Sequence, residues 1–591
     1  MNSLLKLLST AIALLSILSF SFLHPTHFLG WKALMSSQQV ADLVVRNGVI
    51  YTGDDSLPFA ESMAVANGRV FRVGNNSYVQ ELASYGTEVL DLGGKVVVPG
   101  FIDSHVHFIP GGLQMMQVDL TGVNKKDEFI RRIKDAAQSR PCAYANFVVL
   151  MDRKCTKRGS WILGGGWNND LWGGDLPTAS WIDDFTPYNP VWLSRTDGHM
   201  GLANSVALML CGVTNLTADP SEGTIKRTPD GEPTGLLIES AMSLVMSQIP
   251  EDSVDNRREA LLRASNLALE RGVTTVVDMG RYYSGTSANL SWEDFTDVYQ
   301  WADSMSKMKV RVCLFFPMET WSRLVHVINK MGYALSEWMY IGGVKAFADG
   351  SLGSNSALFY EPYVDDPNNY GQQLIESEAL FNMALESDLS GLQIAIHAIG
   401  DKANDLILDT YGSVASTNGP RDRRFRIEHA QHLAMGAPHR FGKQWVIASM
   451  QPDHLLNDAD TARKKLGKDR ADNGSYLFRS LLENNALVAF GSDWPVADIN
   501  PLSGIKTAMR RQPPTWENAW IPSECISLDD AIKAYTISAA RASFLDNDLG
   551  SLSPGKLADF VILTTHSWEE FAESASASIA ATYISGVRAY P

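Results

Sequence analysis

The residues of this chain that could do chemistry form a short ordered series. His105 and His107 make an H-x-H pair in FIDSHVHF, His397 ends LQIAIH, His429 ends FRIEH, and Asp493 lies in FGSDWP. In an extended strand, residues i and i+2 point to one face, so both imidazoles of the pair can reach one cation. Asp103 sits on the same face and could orient a ligand from behind. Taken singly, each histidine reads equally as a satisfied strand-end residue. Taken together, four histidines and a carboxylate make a donor set for a divalent metal, suited to zinc and also to iron or manganese. Asp493 could also take a proton from water.

Lys345, in GGVKAFADG, is the odd member. Alternation turns it inward on a buried strand, where a charge is costly unless paired. A protonated lysine, with a pKa of about 10.4, cannot ligate a metal. Two readings stay open: an ion pair with Asp349, or carboxylation by carbon dioxide to an anion that could bridge two metals.

The elements that must position these residues alternate. Strand-like apolar runs lie at 97–105, 273–279, 310–316, 341–347, 392–397, 425–429, 445–451 and 487–493, separated by helical stretches. Eight such units predict an α/β fold, a TIM (β/α)8 barrel over 97–549 with a large insertion at about 113–260. Chemistry in such barrels sits at the C-terminal strand ends, and those ends carry His105, Asp278, Lys345, His397, His429, Gln451 and Asp493. The insertion holds two further strand-like runs, 161–166 and 190–199. Short strands with Asn-Gly and Gly turns follow Ala41, and the last forty residues repeat this style. Neither set is enough alone, so 41–96 and 550–591 are expected to pair into one small β-sandwich.

Residues 1–35 differ from the rest. Leu7–Leu23 carries no charge and predicts either a membrane anchor or a cleaved secretory signal. The corresponding expectations are a membrane or secretory-pathway location, endoplasmic reticulum or perinuclear, or secretion after cleavage. Sequons at Asn75, Asn215, Asn289 and Asn473 are about as many as chance provides. Across 591 residues the net charge is −16, with 45% apolar and 20% charged residues. That balance excludes a largely disordered chain and argues against nucleic-acid binding, whose footprint is basic. Five cysteines without a CxxC pair argue against a disulfide framework or a cysteine zinc site. GGGWNNDLWGG lacks the Lys-Ser/Thr of a phosphate loop and reads as a substrate loop. Its Trp167 and Trp172 either wall an apolar pocket or simply pack.

The order H-x-H, Lys, His, His, Asp on strands 1, 4, 5, 6 and 8 resembles the amidohydrolase superfamily. PGFIDSHVH, TDGHMGLANSVAL, GVTTVVDMG, GGVKAFADGSLGSNSA, IHAIGDKAN, RIEHAQHL, SMQPDH, FGSDWPV and GSLSPGKLADFVIL resemble its YtcJ-like branch, which includes N-substituted formamide deformylases. The likeness runs from about residue 41 to 591. It implies metal ligation by His105, His107, His397, His429 and Asp493, with Lys345 as a carboxylated bridge and one or two metals. It implies catalysis by Asp493 and His199, and substrate contacts from Trp167, Asn168, His199, Gln451 and His454. The expected reaction is hydrolysis of an amide-type C–N bond in a small molecule. Two alternatives stay open: hydrolysis of esters or cyclic amides, or a membrane-associated regulatory protein that keeps the fold. A homo-oligomer is compatible with this reading.

Overall fold

The computed structural model describes residues 40–139, 161–195, 200–220, 223–282, 287–353, 355–573 and 576–591. The apolar segment expected at 1–35 lies outside them, as does His199. No helix among the described residues is long and apolar enough to cross a membrane.

Eight parallel strands form the barrel: β1 (Phe101–Val106), β2 (Val273–Asp278), β3 (Arg311–Pro317), β4 (Met339–Phe347), β5 (Gln393–Ala398), β6 (Arg426–His429), β7 (Ile447–Met450) and β8 (Val488–Phe490). Each sits within the run expected of it or overlaps it closely. Helices such as Val254–Glu270 and Asp401–Asn418 lie outside. The strands are buried on both faces. Val276, Val312, Val344 and Ile396 pack outward against Leu261, Leu324, Leu380 and Ile407 in one continuous core. Ile102, Val277, Phe315, Ala395 and Ile447 belong to a second cluster, with Ala539 and Leu545. Near-continuous apolar runs are what strands covered on both sides require.

β1 and β8 close the ring without a regular ladder. The Asp493 amide donates to the His105 carbonyl at 2.7 Å, and the His107 amide donates to the Trp494 carbonyl at 2.8 Å. β1 is also bulged. Asp103 pairs with Val276 and Val106 with Asp278, so Ser104 and His105 together face Val277 alone. Bulges of this kind re-aim side chains beside active sites.

The run expected to open the barrel is divided at Gly100. Val96–Pro99 pairs with Phe560–Leu563 on one side and Val49–Tyr51 on the other, so it belongs to the β-sandwich, and the barrel starts at Phe101 rather than 97. The sandwich stacks a four-stranded sheet (Leu43–Arg46, Ser62–Ala66, Arg69–Gly74, Glu88–Asp91) on a six-stranded one drawn from both chain ends. Val45, Met63, Val97, Phe560 and Tyr583 fill its core. Buried Arg311 of β3 ties it to the barrel through Asp559, at 3.1 Å.

Between β1 and β2 the chain builds a separate six-stranded sheet. Its order is Gly223–Arg227, Pro233–Glu239, Met200–Ala203, Val191–Arg195, Ile162–Trp167, Val118–Asp119. Leu193, Leu202 and Phe129 form its core with Trp167.

Candidate metal centre and hydrolytic site

The site is assembled at the C-terminal mouth of the barrel. His105 at the β1 bulge and His107 just past it direct their Nε2 atoms to Asp493 Oδ1, at 3.4 and 3.5 Å. His429 closes β6, its ring centroid 5.0 Å from that of His105 and 4.5 Å from that of His397, which lies near the end of β5. Donor atoms of His105, His429 and Asp493 all lie within 4.8 Å of one another. Both His429 and Asp493 hold left-handed backbone, φ 75° and 56°. Such geometry is unfavourable for side-chain-bearing residues and persists where the surroundings over-determine it.

The partners of each ring select its tautomer. His105 Nδ1–H donates to Glu428 Oε2 at 2.6 Å, His107 Nδ1–H to the Gly280 carbonyl at 2.7 Å, and His429 Nδ1–H to Gln451 Oε1 at 2.8 Å. His105 and His429 then keep Nε2 as the acceptor nitrogen, and His107 turns its Nε2 towards Asp493. For His397, Nε2–H donates to the Gly350 carbonyl at 3.0 Å, leaving Nδ1. Second-nitrogen bonds of this kind fix tautomer and ring orientation in metal sites. Among the described residues, the buried His105 Nε2 has no hydrogen-bond partner. An orphaned lone pair facing a carboxylate and a second imidazole is what a cation would satisfy, so the residues fit a divalent metal.

Electrostatics agree. Burial, with the Lys345 charge adding to it, holds His107 at about 4 and His397 at about 3, and His105 far below its ordinary value. Burial and the neighbouring imidazoles depress His429 likewise. Neutral imidazoles are the ligating form. Burial raises Asp493 to about 7, partly opposed by Lys345. Burial lowers Lys345 to about 8 against the pull of Glu428 and Asp493.

The ion pair considered between Lys345 and Asp349 does not form. The Asp349 carboxylate accepts the amides of Leu358, Ile399 and Gly400 at 2.8–3.0 Å and lies 3.5 Å from His397 Nε2. Among the described residues, no carboxylate lies within hydrogen-bond or ion-pair distance of the Lys345 ammonium. The ammonium lies 5.0 Å from the centroid of the Phe347 ring.

Other expectations resolve differently. His454 joins the site, its Nε2 4.0 Å from Asp493 Oδ2 and without a hydrogen-bond partner. Gln451 is buried and holds His429. Among the described residues, Asp103 bonds to no imidazole nitrogen. Its carboxylate takes the amides of His105 and Ser492 and the Ser492 hydroxyl, pinning β1 to β8. Trp167 is fully buried in the core of the inserted sheet, donating to the Leu193 carbonyl at 2.8 Å. It packs rather than contacting substrate, because it closes a strand whose inner face is that core. Asn168 beside it accepts from Arg195 at 2.9 Å.

Sequence reasoning missed Glu428. It is fully buried and clasped by Arg426 at 2.7 and 3.1 Å. Burial opposes its charge, but Arg426 and His105 hold its carboxyl far below the usual range. The available signal was an Arg and a Glu at i, i+2 inside an otherwise apolar barrel strand. Asp278 was noted only as a strand end. It accepts the amides of Phe108 and Gly280 at 2.9 Å and the Tyr299 hydroxyl at 2.6 Å, bracing the loop that meets His107.

The profile described as "Amidohydrolase family" matches residues 88–590. The chain belongs to the amidohydrolase family. Protein LONG AFTER FAR-RED 3 of Arabidopsis thaliana is 60% identical over 587 residues, 99% of this chain and 98% of that one. N-substituted formamide deformylase of Arthrobacter pascens is 27% identical over 573 residues, 93% and 99% of the two chains. Among solved structures, an uncharacterized metal-dependent hydrolase from Pyrococcus horikoshii superposes with a TM-score of 0.70 at 27% identity, covering 88% of this amidohydrolase and 97% of that chain. Family and likeness support a hydrolase, and with the His-His-Asp cluster they support a divalent metal.

Proposed function

We propose that the chain hydrolyses an amide-type C–N bond in a small molecule, with N-substituted formamides as the first class to test. The observation that carries this reading is the convergence of His105, His429 and Asp493 donor atoms around the unpartnered Nε2 of His105. His107 and His397 would complete the donor set, with zinc the favoured ion and iron or manganese also suited to these donors. When bound there, the ion supplies Lewis acidity and lowers the pKa of water from 15.7 towards 7.

The chain's own residues do the rest. Glu428, locked by Arg426, and Gln451 hold His105 and His429 in register. Asp493, raised towards 7 by burial, is matched to holding and releasing a proton near neutrality. Water adds to the amide carbonyl carbon as Asp493 Oδ takes its proton. Asp493 then returns the proton to the leaving nitrogen as the C–N bond breaks, giving an acid and an amine. His454, beside Asp493, is placed to meet the substrate carbonyl or the departing amine.

Lys345 deepens the reading. Burial favours its neutral amine, and among the described residues no carboxylate lies within ion-pair distance of it. A neutral amine adds carbon dioxide and releases a proton, leaving a carbamate anion that could hold a second ion.

The test is elemental mass spectrometry on the purified full-length chain beside a His105→Ala/His107→Ala variant, followed by assay of formate release from N-substituted formamides. One or two divalent ions per chain, lost in the variant, together with formate release, support the proposal. A count near two favours carboxylated Lys345. A wild-type chain without metal after growth in added metal and bicarbonate overturns it.

A further inference from the structure

A cavity of about 970 Å³ opens at the barrel pole opposite the histidines, where β6 and β7 begin. Phe425 and Ile447 line its apolar part. Its charged wall is arginine-rich. Arg421 and Arg423 share Asp388 at 2.7 and 3.0 Å, and Arg424 pairs with Asp422 and Asp546 at 3.0 and 2.6 Å. Arg541, exposed on the same wall, has no ion pair or hydrogen bond from its guanidinium among the described residues. Four guanidinium groups thus face three carboxylates, and one positive charge is uncompensated.

Trp445, also on the wall, is 77% exposed. It closes helix Ala437–Gln444 with φ 56° and ψ 34°, the left-handed region. Glycine or asparagine would hold that position without strain, whereas a bulky side chain is disfavoured there. The indole fills no core and has no hydrogen-bond partner among the described residues. Beside it, Gln444 leaves a buried amide oxygen without a donor.

We propose that this cavity binds a flat aromatic anion, a ring bearing a carboxylate or a phosphate. The ring lies against the Trp445 indole and the charge meets Arg541. Aromatic faces pair by offset stacking or edge contact, and guanidinium groups take both anions in a planar fork. The cavity lies across the barrel from the metal centre, so this ligand is not the substrate, and the proposal stands whether or not the hydrolytic reading does.

The experiment is titration calorimetry on the full-length chain with benzoate and phenyl phosphate, and with inorganic phosphate and benzyl alcohol as half-ligands. The expected result is one saturable site per chain for at least one aromatic anion, at least tenfold tighter than either half-ligand. The stronger of the two anions identifies the charged group. Arg541→Gln and Trp445→Gly should each weaken binding at least tenfold, with bound metal and thermal midpoint unchanged. Trp445→Gly relaxes the backbone and Arg541 lies at the surface, so neither variant should fail to fold. Binding should persist in His105→Ala/His107→Ala, and its loss there would place the anion at the metal centre instead. Absence of saturation, wild-type affinity in either cavity variant, or a half-ligand binding as tightly as the whole overturns the proposal. So does a Trp445→Gly variant that turns a dimer into a monomer while no probe binds, because the face would then join two copies.

Discussion

The amide of Asp493 donates to the carbonyl of His105 at 2.7 Å, across the seam where β8 meets β1. The two residues whose side chains face each other at 3.4 Å therefore also close the barrel through their backbones. The candidate metal centre and the last join of the fold are one structure. Whatever loosens the seam should loosen the site.

Gly491 tests this. A Cβ there would come within 2.6 Å of the His105 amide nitrogen and 2.7 Å of Asp103 Oδ1. Neither has room to retreat, since Asp103 Oδ1 is held by the Ser492 amide across the seam and by the His105 amide within β1. Gly491→Ala should cost about 1–3 kcal/mol, as overpacking does, and should also lower metal content. A variant with a lower thermal midpoint but full metal occupancy would separate the seam from the site.

Glu428→Gln removes the anion between Arg426 and His105. The variant leaves the buried Arg426 guanidinium without its ion partner, which should cost stability on the order of 3–5 kcal/mol. His105 loses its charged anchor as well, and metal affinity should fall about 10–100-fold. Competition against a chelator measures the second effect independently of turnover. Unchanged affinity would mean that Glu428 serves the fold alone.

Asp493→Asn keeps the shape of the side chain and one oxygen donor but cannot carry the proton. Turnover should drop by about 10²–10⁴, the usual share of positioned acid–base catalysis, while much of the metal stays bound. Full activity in this variant would remove Asp493 from the proton-transfer role.

The barrel was legible because its strands are buried on both faces. Most read as largely apolar runs ending in a residue that could do chemistry, as β5 does in QIAIHA. The donor set was legible for the same reason, since one strand end after another carried a histidine or an acid. The inserted sheet was only partly legible. Its strands Met200–Ala203 and Gly223–Arg227 are short and interrupted by glycine and charge, and they gain their core only from neighbours far along the chain. The break at Gly100 was hidden because two buried strands of different domains adjoin with one residue between them. Trp167 looked like a substrate residue because a glycine-rich stretch hides the strand that buries it. Glu428 escaped notice because its partners, Arg426 aside, sit on other strands, so only closure of the barrel shows that it faces His105.

Asp278 supplies the pH test. Its carboxylate receives two backbone amides and the Tyr299 hydroxyl, yet burial raises it from 3.8 to about 6. Between those values the folded chain keeps a proton that the unfolded chain has released. The contribution to stability is therefore fully present below about pH 4 and is lost as pH rises through 6. Asn at this position does not titrate, and its amide can still accept the two backbone N–H groups. The stability of Asp278→Asn relative to the wild type should therefore climb between pH 4 and 7, by up to about 3 kcal/mol at 1.36 kcal/mol per pKa unit, and stay level below pH 4. Urea midpoints of the two metal-free proteins at pH 4, 5, 6 and 7 measure it. A difference that stays flat, or that falls with rising pH, would show that the three donors hold Asp278 ionised throughout and that its brace on the Gly280 loop is an anionic one.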